Sequence, residues 1–280
     1  MWTLVKIEWI KTFRRWRTYI GFATIGFFLP LFFVAMKLSG GEFILNSPAL
    51  KSIQENFIVI GNIFNGMFVS RMLMNTLFVH IPLLVVLVPG DILAGEAASG
   101  TIRTILTRPP SRLAVITSKI ILSLFYTALL LIFMALLSLI VGYFLFGLGD
   151  LVVLKNGILI FTLQEALWRF ALAYALAIVA MSVIAAVAFL FSVMVSNAIG
   201  PIVGSIVVLI IFLIITASPI PAFESIRPYL FTTYTDVWEK AFSDPIPWTI
   251  IGKYVGVLVF YSTALFGLSA FIFQRKDILS

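Results

Sequence analysis

Residues 120–146, IILSLFYTALLLIFMALLSLIVGYFLF, run from Ile120 to Phe146 without a charged residue. A helix needs roughly 20 mostly apolar residues to cross the hydrocarbon core of a bilayer. Inside that core the backbone must satisfy its own hydrogen bonds, so only helices and closed barrels span it. The stretch lacks the two-residue alternation of a membrane strand, so it is read as a transmembrane helix. The rest of the chain has the same character. Of 280 residues, 61% are hydrophobic, 15% aromatic and only 11% charged, with a mean hydropathy of +1.13. A soluble domain carries about a quarter charged residues, so lipid is the expected solvent.

Working outward from this stretch, six spans are expected, at about 19–38, 64–89, 113–147, 166–195, 199–217 and 247–272. The third is long enough to project beyond the bilayer on its Lys119 side. Residues 196–201, with Gly200 and Pro201, break the fourth span from the fifth. The expected fold class is an all-α integral membrane protein, a single transmembrane domain over 1–280. Residues 1–18 are expected to form an amphipathic interfacial helix. Trp2, Val5, Trp9, Phe13, Trp16 and Ile20 share one face at helical spacing, and Lys6, Lys11, Arg14, Arg15 and Arg17 spread over the rest. Leu4, Ile7 and Ile10 fall on the charged side, where protein could cover them. A signal peptide is a poor reading, because no small-residue cleavage site follows. Before the last span, 218–247 mixes Pro219, Pro221, Pro228, Pro245 and Pro247 with many aromatic rings. Short re-entrant or interfacial helices are expected there, either closing a pathway or simply anchoring rings at headgroup depth.

An even number of spans puts both ends of the chain on one side. Lysine and arginine placement says which side that is. The N-terminal segment has Lys6, Lys11, Arg14, Arg15 and Arg17. The loop after the second span has Arg103, Arg108, Arg112 and Lys119, and the C-terminus has Arg275 and Lys276. Only Glu8, Asp91, Glu96 and Asp277 offset them, whereas basic and acidic residues nearly balance in the opposite loops. Almost all of the net charge of +7 therefore lies on one side. That side is assigned to the cytoplasm of a multi-pass cell-membrane protein. The same distribution argues for membrane topology and against a nucleic-acid partner.

The most informative loop is 91–112. Residues 91–99 are predicted to be helical, Gly100 to stop the helix, and Pro109-Pro110 to forbid its continuation. Ser111 is predicted to cap the third span. The loop reads as a small rigid knuckle between two spans, either docking on a soluble partner or serving as an ordinary positive-inside loop. Covalent chemistry is not expected. With no cysteine, thiolate metal sites and cysteine nucleophiles are excluded, and a single histidine, His80, excludes any site built from two. Asp91 and Glu96 are five apart and fall on different helix faces.

Gly95-Glu96, Ser99-Gly100-Thr101-Ile102, Ile105-Leu106, Arg108-Pro109 and Ser111-Arg112 resemble the cytoplasmic signature of ABC-2 type transporter permeases. The ending Phe273-Gln274-Arg275-Lys276-Asp277-Ile278 is similar to the family's as well. The specific match covers about thirty residues, and the chain departs from it at Ala97-Ala98, where the family is charged. The resemblance implies an ABC exporter subunit whose 91–112 loop carries a coupling helix that seats on a separate ATPase. Two copies of that ATPase, and a homodimer or a related permease, are the implied partners, with membrane lipid around them. Gly95, Glu96, Gly100, Thr101, Arg108 and Arg112 become the candidate coupling residues. The chain lacks a G-x-x-x-x-G-K-[ST] phosphate loop. It is therefore expected to bind no cofactor itself, with ATP and magnesium held by the partner.

Arg71 and Asn75, four apart in the second span, share a face, and His80 points nearly the opposite way. The pair either lines a translocation path or serves structure, through an outward-snorkelling arginine and an interhelical amide bond. Glu165 and Arg169 are expected to form a local ion pair. Gly142, Gly147 and Gly149 suit close helix packing or a flexible loop. Two other classes stand beside the permease: a passive channel or ion-driven carrier, and a non-transporting anchor for an ATPase complex.

Overall fold

The computed structural model describes residues 2–39, 64–101, 111–154 and 158–276. It opens with α1 (Trp2–Phe13) and α2 (Thr18–Leu38). A broken helical run follows as α3 (Gly66–Phe78), α4 (Ile81–Val85) and α5 (Leu87–Ala98). Next come α6 (Arg112–Phe146), a hairpin of β1 (Leu151–Leu154) and β2 (Ile158–Phe161), α7 (Leu163–Met194) and α8 (Gly200–Ala217). Three 3-10 segments, Pro221–Phe223, Arg227–Tyr229 and Phe231–Phe242, lead to α9 (Trp248–Arg275).

Six helical stretches are long and apolar enough to cross a membrane: Thr18–Leu38, Ile81–Ala98, Arg112–Phe146, Leu163–Met194, Gly200–Ala217 and Trp248–Arg275. The protein is a largely helical membrane protein. Its centre is α7, which packs against α5, α6, α8, α9 and the Phe231–Phe242 segment. Buried Ala173, Ala177, Ala180, Ala185 and Ala188 keep α7 thin enough for so many neighbours to approach. The faces of α8 and α9 are mostly open and apolar, as lipid contact requires.

The second span differs from its expected bounds of 64–89. The run is helical from Gly66 to Ala98 with two breaks, and its long apolar part is Ile81–Ala98. The breaks have a simple cause. Proline has no N–H to give to the carbonyl four residues back. Pro82 orphans Phe78 and Pro89 orphans Val85, and α3 and α4 end at those two residues. Residues 91–98 are therefore the last turns of a packed helix, with Asp91, Ile92, Leu93, Ala94 and Glu96 buried. A free knuckle is not what they form. Ser192 of α7 fixes α5 in place by accepting from the Leu93 and Ala94 amides at 3.1 and 3.0 Å.

Two further departures qualify the all-α expectation. The hairpin pairs Leu151 with Phe161 and Leu154 with Ile158. Leu151, Val153 and Phe161 face inward, so a short apolar alternation gains cover there. Before the last span, the 12-residue Phe231–Phe242 segment is a 3-10 helix. Side chains three apart eclipse in that geometry. Thr233, Asp236 and Glu239 form its outer ridge, while Phe231, Tyr234, Val237 and Trp238 turn inward. The small glycines at the end of α6 serve packing. Gly66 donates to the Gly147 carbonyl at 3.0 Å, and a side chain on Gly66 would come 2.5 Å from the Gly142 oxygen.

Candidate functional site

At one end of the bundle, α1 lies across the end of α5 and the start of α6. Its orientation departs from the simple amphipathic reading at Ile7 and Ile10, which are exposed instead of covered by protein. Glu8 and Thr12 face inward, whereas Trp2, Ile7, Ile10 and Trp16 are exposed. The reason is a set of four charges. Lys119 of α6 is fully buried, at 0% exposure, and donates to Glu8 Oε2 at 2.7 Å. It also lies 2.8 Å from Glu96 Oε2, as an ion pair outside hydrogen-bond alignment. Lys11 bonds Glu8 Oε1 at 3.1 Å and also reaches Glu96 Oε1. Two carboxylates and two ammonium groups cancel, which is the condition for burying them at all. Burial works against the charge on Lys11, but the carboxylates of Glu96 and Glu8 outweigh it and hold its pKa above the ordinary lysine value.

One turn earlier on α5, Asp91 takes Arg15 Nη1 at 3.1 Å and Arg17 Nη1 at 3.4 Å. Gly95 sits above this carboxylate; any side chain there would come within 2.5 Å of Asp91 Oδ1. At Gly100 the backbone turns to a φ of +69°, which suits glycine and stops the helix as expected. Ser99 and Thr101 donate to the Glu96 carbonyl at 3.2 and 3.3 Å, closing the helix end. Residues 98–101 are exposed beside this junction.

Ser111 caps α6 as predicted, accepting from the Ala114 amide at 3.2 Å. Arg112 donates to the Gln274 and Lys276 carbonyls at 3.2 and 2.9 Å. A cation there complements the negative end of α9. Lys276 in turn donates to the Val193 carbonyl at 2.7 Å. The same end of the bundle thus gathers α1, the end of α5, the start of α6, and the ends of α7 and α9.

The six candidate coupling residues fall into distinct places. Glu96 is 1% exposed and serves the buried charge cluster. Gly95 makes room for Asp91, Gly100 and Thr101 form the exposed turn, and Arg112 holds the last helix. Arg108 lies outside the described residues. Sequence reading did not single out Glu8, Lys11, Lys119, Arg15 or Arg17 for pairing. The available signal was a lone acid in a basic segment and a lone lysine opening an apolar span.

Arg71 and Asn75 both lie on α3, outside the lining of a pocket between α2 and α3–α4. Arg71 is half-buried with its guanidinium 5.2 Å from the Phe242 ring centre. Its Nε has no hydrogen-bond partner among the described residues. Asn75 is exposed on α3. An apolar pocket of about 390 Å³ opens instead between α2 and α3–α4. Thr24, Thr76 and His80 are its polar members, with Phe28, Phe32 and Leu84 among the apolar ones.

At the opposite end, Glu165 and Arg169 do not pair as expected. Glu165 is drawn into a reciprocal cap with Thr162 at the start of α7. Arg169 donates to the Ala241 and Ser243 carbonyls at 2.9 and 2.8 Å, approaches Asp244 at 3.5 Å, and stacks 3.9 Å from the Phe161 ring centre. It ties the 3-10 segment and the hairpin to α7.

No group of three or more histidine, aspartate and glutamate side chains placed to hold a metal occurs among the described residues. A family model described as "Protein of unknown function (DUF2705)" matches residues 31–279. That is most of the chain, which therefore belongs to this family. No curated protein matches it.

Proposed function

We propose that this member of the DUF2705 family is the membrane-spanning permease subunit of an ATP-driven transporter of the ABC-2 type, working as an exporter. It performs no covalent chemistry. Two copies pair in the membrane and engage two separate ATPase subunits, which hold ATP and magnesium. The end of the bundle bearing α1, residues 98–101 and Arg112 faces the cytoplasm. The exposed Gly100 turn contacts the ATPase, and α5 and α6 are the levers.

One observation supports this most. The exposed turn at 98–101 follows directly on Glu96, whose carboxylate is bound to both Lys11 and Lys119. A force applied to the turn would therefore pass into α1, α5 and α6 together, rather than bending a loose loop. The signature residues 95–112 add support by resemblance. The excess of lysine and arginine at this end supports its cytoplasmic placement.

Affinity purification of the tagged chain from native membranes in mild detergent tests the reading. Recovery of a stoichiometric ATPase subunit is expected, together with ATP-dependent flux once both are reconstituted in vesicles. Recovery of the chain alone, under conditions that keep related complexes intact, would refute it. A Ser99→Cys variant tests sidedness. An impermeant maleimide should label it only after the cytoplasmic face is opened.

A further inference from the structure

The break between α3 and α4 coincides with a cavity. Val79 and His80 separate the two helices, and Pro82 leaves the Phe78 carbonyl without its helical donor. Residues 76–84 around this break form one wall of the pocket of about 390 Å³, and residues 24–32 of α2 form the other. Thr18 opens α2, so residues 24–32 lie about 9–21 Å along it at about 1.5 Å per residue. That is hydrocarbon depth in a core of about 30 Å. Non-helical backbone is tolerated there where it is buried in protein or lines a cavity, and proline-interrupted spans mark ligand sites in membrane transporters. Phe28 and Leu83 belong to the lining and are themselves exposed, so the pocket opens on the outside of the bundle.

The chemistry of the lining limits what fits. Phe28, Phe32, Leu77 and Leu84 are among its apolar members, and Thr24, Thr76 and His80 are its polar ones. Among the described residues no charged side chain lines it. An ionised ligand would therefore stand uncompensated in a dry wall, at high cost. His80 Nδ1 lies 3.1 Å from the Thr76 carbonyl oxygen, which can only accept, so Nδ1 carries the proton. Nε2 of the neutral ring is then an acceptor. The Thr76 hydroxyl gives its proton to the Met72 carbonyl at 3.1 Å and keeps its lone pairs. The pocket thus presents two acceptors, His80 Nε2 and Thr76 Oγ1, within an apolar enclosure. Its volume falls in the range of small-molecule sites, where a few polar groups orient a mostly apolar ligand.

We propose that this pocket binds a neutral, mostly apolar molecule carrying a hydroxyl or similar hydrogen-bond donor, which enters sideways from the bilayer and gives its proton to His80. The inference deepens the permease reading by naming a cargo class, and it rests on that reading only for the word cargo. Binding itself belongs to this chain alone. A membrane lipid such as a diacylglycerol and a free fatty alcohol present the same chemistry.

Photolabelling of the full chain in nanodiscs tests this. The discs are made of phosphatidylcholine, whose headgroup has no donor. The probe is a trifluoromethyl-diazirinyl benzyl alcohol, and its methyl ether, which lacks the donor, is the control. After illumination, labelled peptides are mapped by mass spectrometry. The alcohol should label residues 24–32 and 76–84 saturably and several-fold more than the ether does. His80→Leu should lower that labelling by about 5-fold, the effect of one lost hydrogen bond. His80→Gln, which keeps an acceptor, should restore most of it and so separates a lost acceptor from a damaged fold. Excess dodecanol or diacylglycerol should displace the label, and the one that does so identifies the source as a free solute or a membrane lipid. Equal labelling by alcohol and ether would overturn the proposal, as would unsaturable labelling of the exposed faces of α8 and α9 in place of the pocket. So would indifference to His80→Leu, failure of His80→Gln to restore, or displacement by neither competitor. The experiment contains no ATPase. Loss of ATPase copurification with the labelling intact would therefore strike the permease reading alone.

Discussion

Replacing Lys119 with methionine should be among the most damaging conservative-volume changes in the protein. Its ammonium lies 2.7 Å from Glu8 and 2.8 Å from Glu96, and none of it reaches solvent. Methionine keeps the unbranched stem and the packing but removes the charge. Lys11 alone then faces two carboxylates, and one negative charge stays buried without compensation. Removing one member of a buried pair costs about 3–5 kcal/mol. Lys11, with a third of its side chain exposed, can shift to share itself and recover part of this. We therefore expect a loss of about 3 kcal/mol, or roughly 6–12 °C in melting temperature for a chain of this size.

A second substitution separates charge from packing. Glu96→Gln in the Lys119→Met background restores neutrality, leaving Lys11 to pair with Glu8. The double variant should regain about 2 kcal/mol over Lys119→Met, within the range of couplings measured between contacting residues. Thermal unfolding in detergent or nanodiscs measures each corner of the cycle, with Trp9, which packs 4.6 Å from the Phe125 ring centre, as the local reporter of α1. If the two substitutions simply add, or if Lys119→Met costs under about 1 kcal/mol, the four charges do not act as a unit and the clasp is refuted.

Tyr126→Phe should stabilise the protein by about 1 kcal/mol, because the Tyr126 hydroxyl is buried with no partner among the described residues; the melting temperature checks this. Arg169→Met should loosen the Phe231–Phe242 segment by roughly 2 kcal/mol through loss of two charge-assisted bonds, seen as faster amide exchange there and not in α1. The pKa of Lys11 is raised on folding, so its stabilisation is complete below the ordinary value of 10.5 and is lost only as pH climbs through the higher folded value. Trp9 fluorescence should therefore stay flat from about pH 7 to about pH 10 and change only in stronger base, and a change near pH 8 would contradict it.

The spans were legible because lipid imposes one rule on every residue that touches it, and long apolar runs such as 120–146 obey it. The interruptions were legible too, but only to a question about hydrogen bonds that hydropathy does not ask. Pro82 and Pro89 fix the ends of α3 and α4 by four-residue arithmetic, and a smooth apolar average hides both. Phe231–Phe242 carries a period of three, polar at Thr233, Asp236 and Glu239, that is invisible to templates of 3.6 and two. The hairpin announces itself by Asn156-Gly157 between apolar β-branched runs, a signal overshadowed by the surrounding helices. What sequence could not give was pairing between distant elements. Glu165 and Arg169 have helix-pair spacing, yet each finds a better partner in three dimensions: the Thr162 cap for one, the Ala241 and Ser243 carbonyls for the other.

The orientation of α1 is the sharpest case of this kind, and it bears on how the protein could work. Tryptophans on one stripe and basic residues elsewhere fit a helix lying on lipid, but an amphipathic helix has two faces and its own sequence does not say which meets protein. The choice was made by Glu96 and Lys119, far along the chain, which offer Glu8 and Lys11 a neutral charged site. Once Glu8 and Thr12 turn inward, Ile7 and Ile10 are left outward beside exposed Trp2 and Lys6. One helix then presents a mixed face of Ile7, Ile10 and Lys6 outward and its Glu8 side to the α5–α6 junction. Glu96 cannot bind an outside partner without releasing Lys119. In the proposed permease, contact with an ATPase would therefore include the exposed residues 98–101, and the buried carboxylate would carry the resulting motion into the bundle.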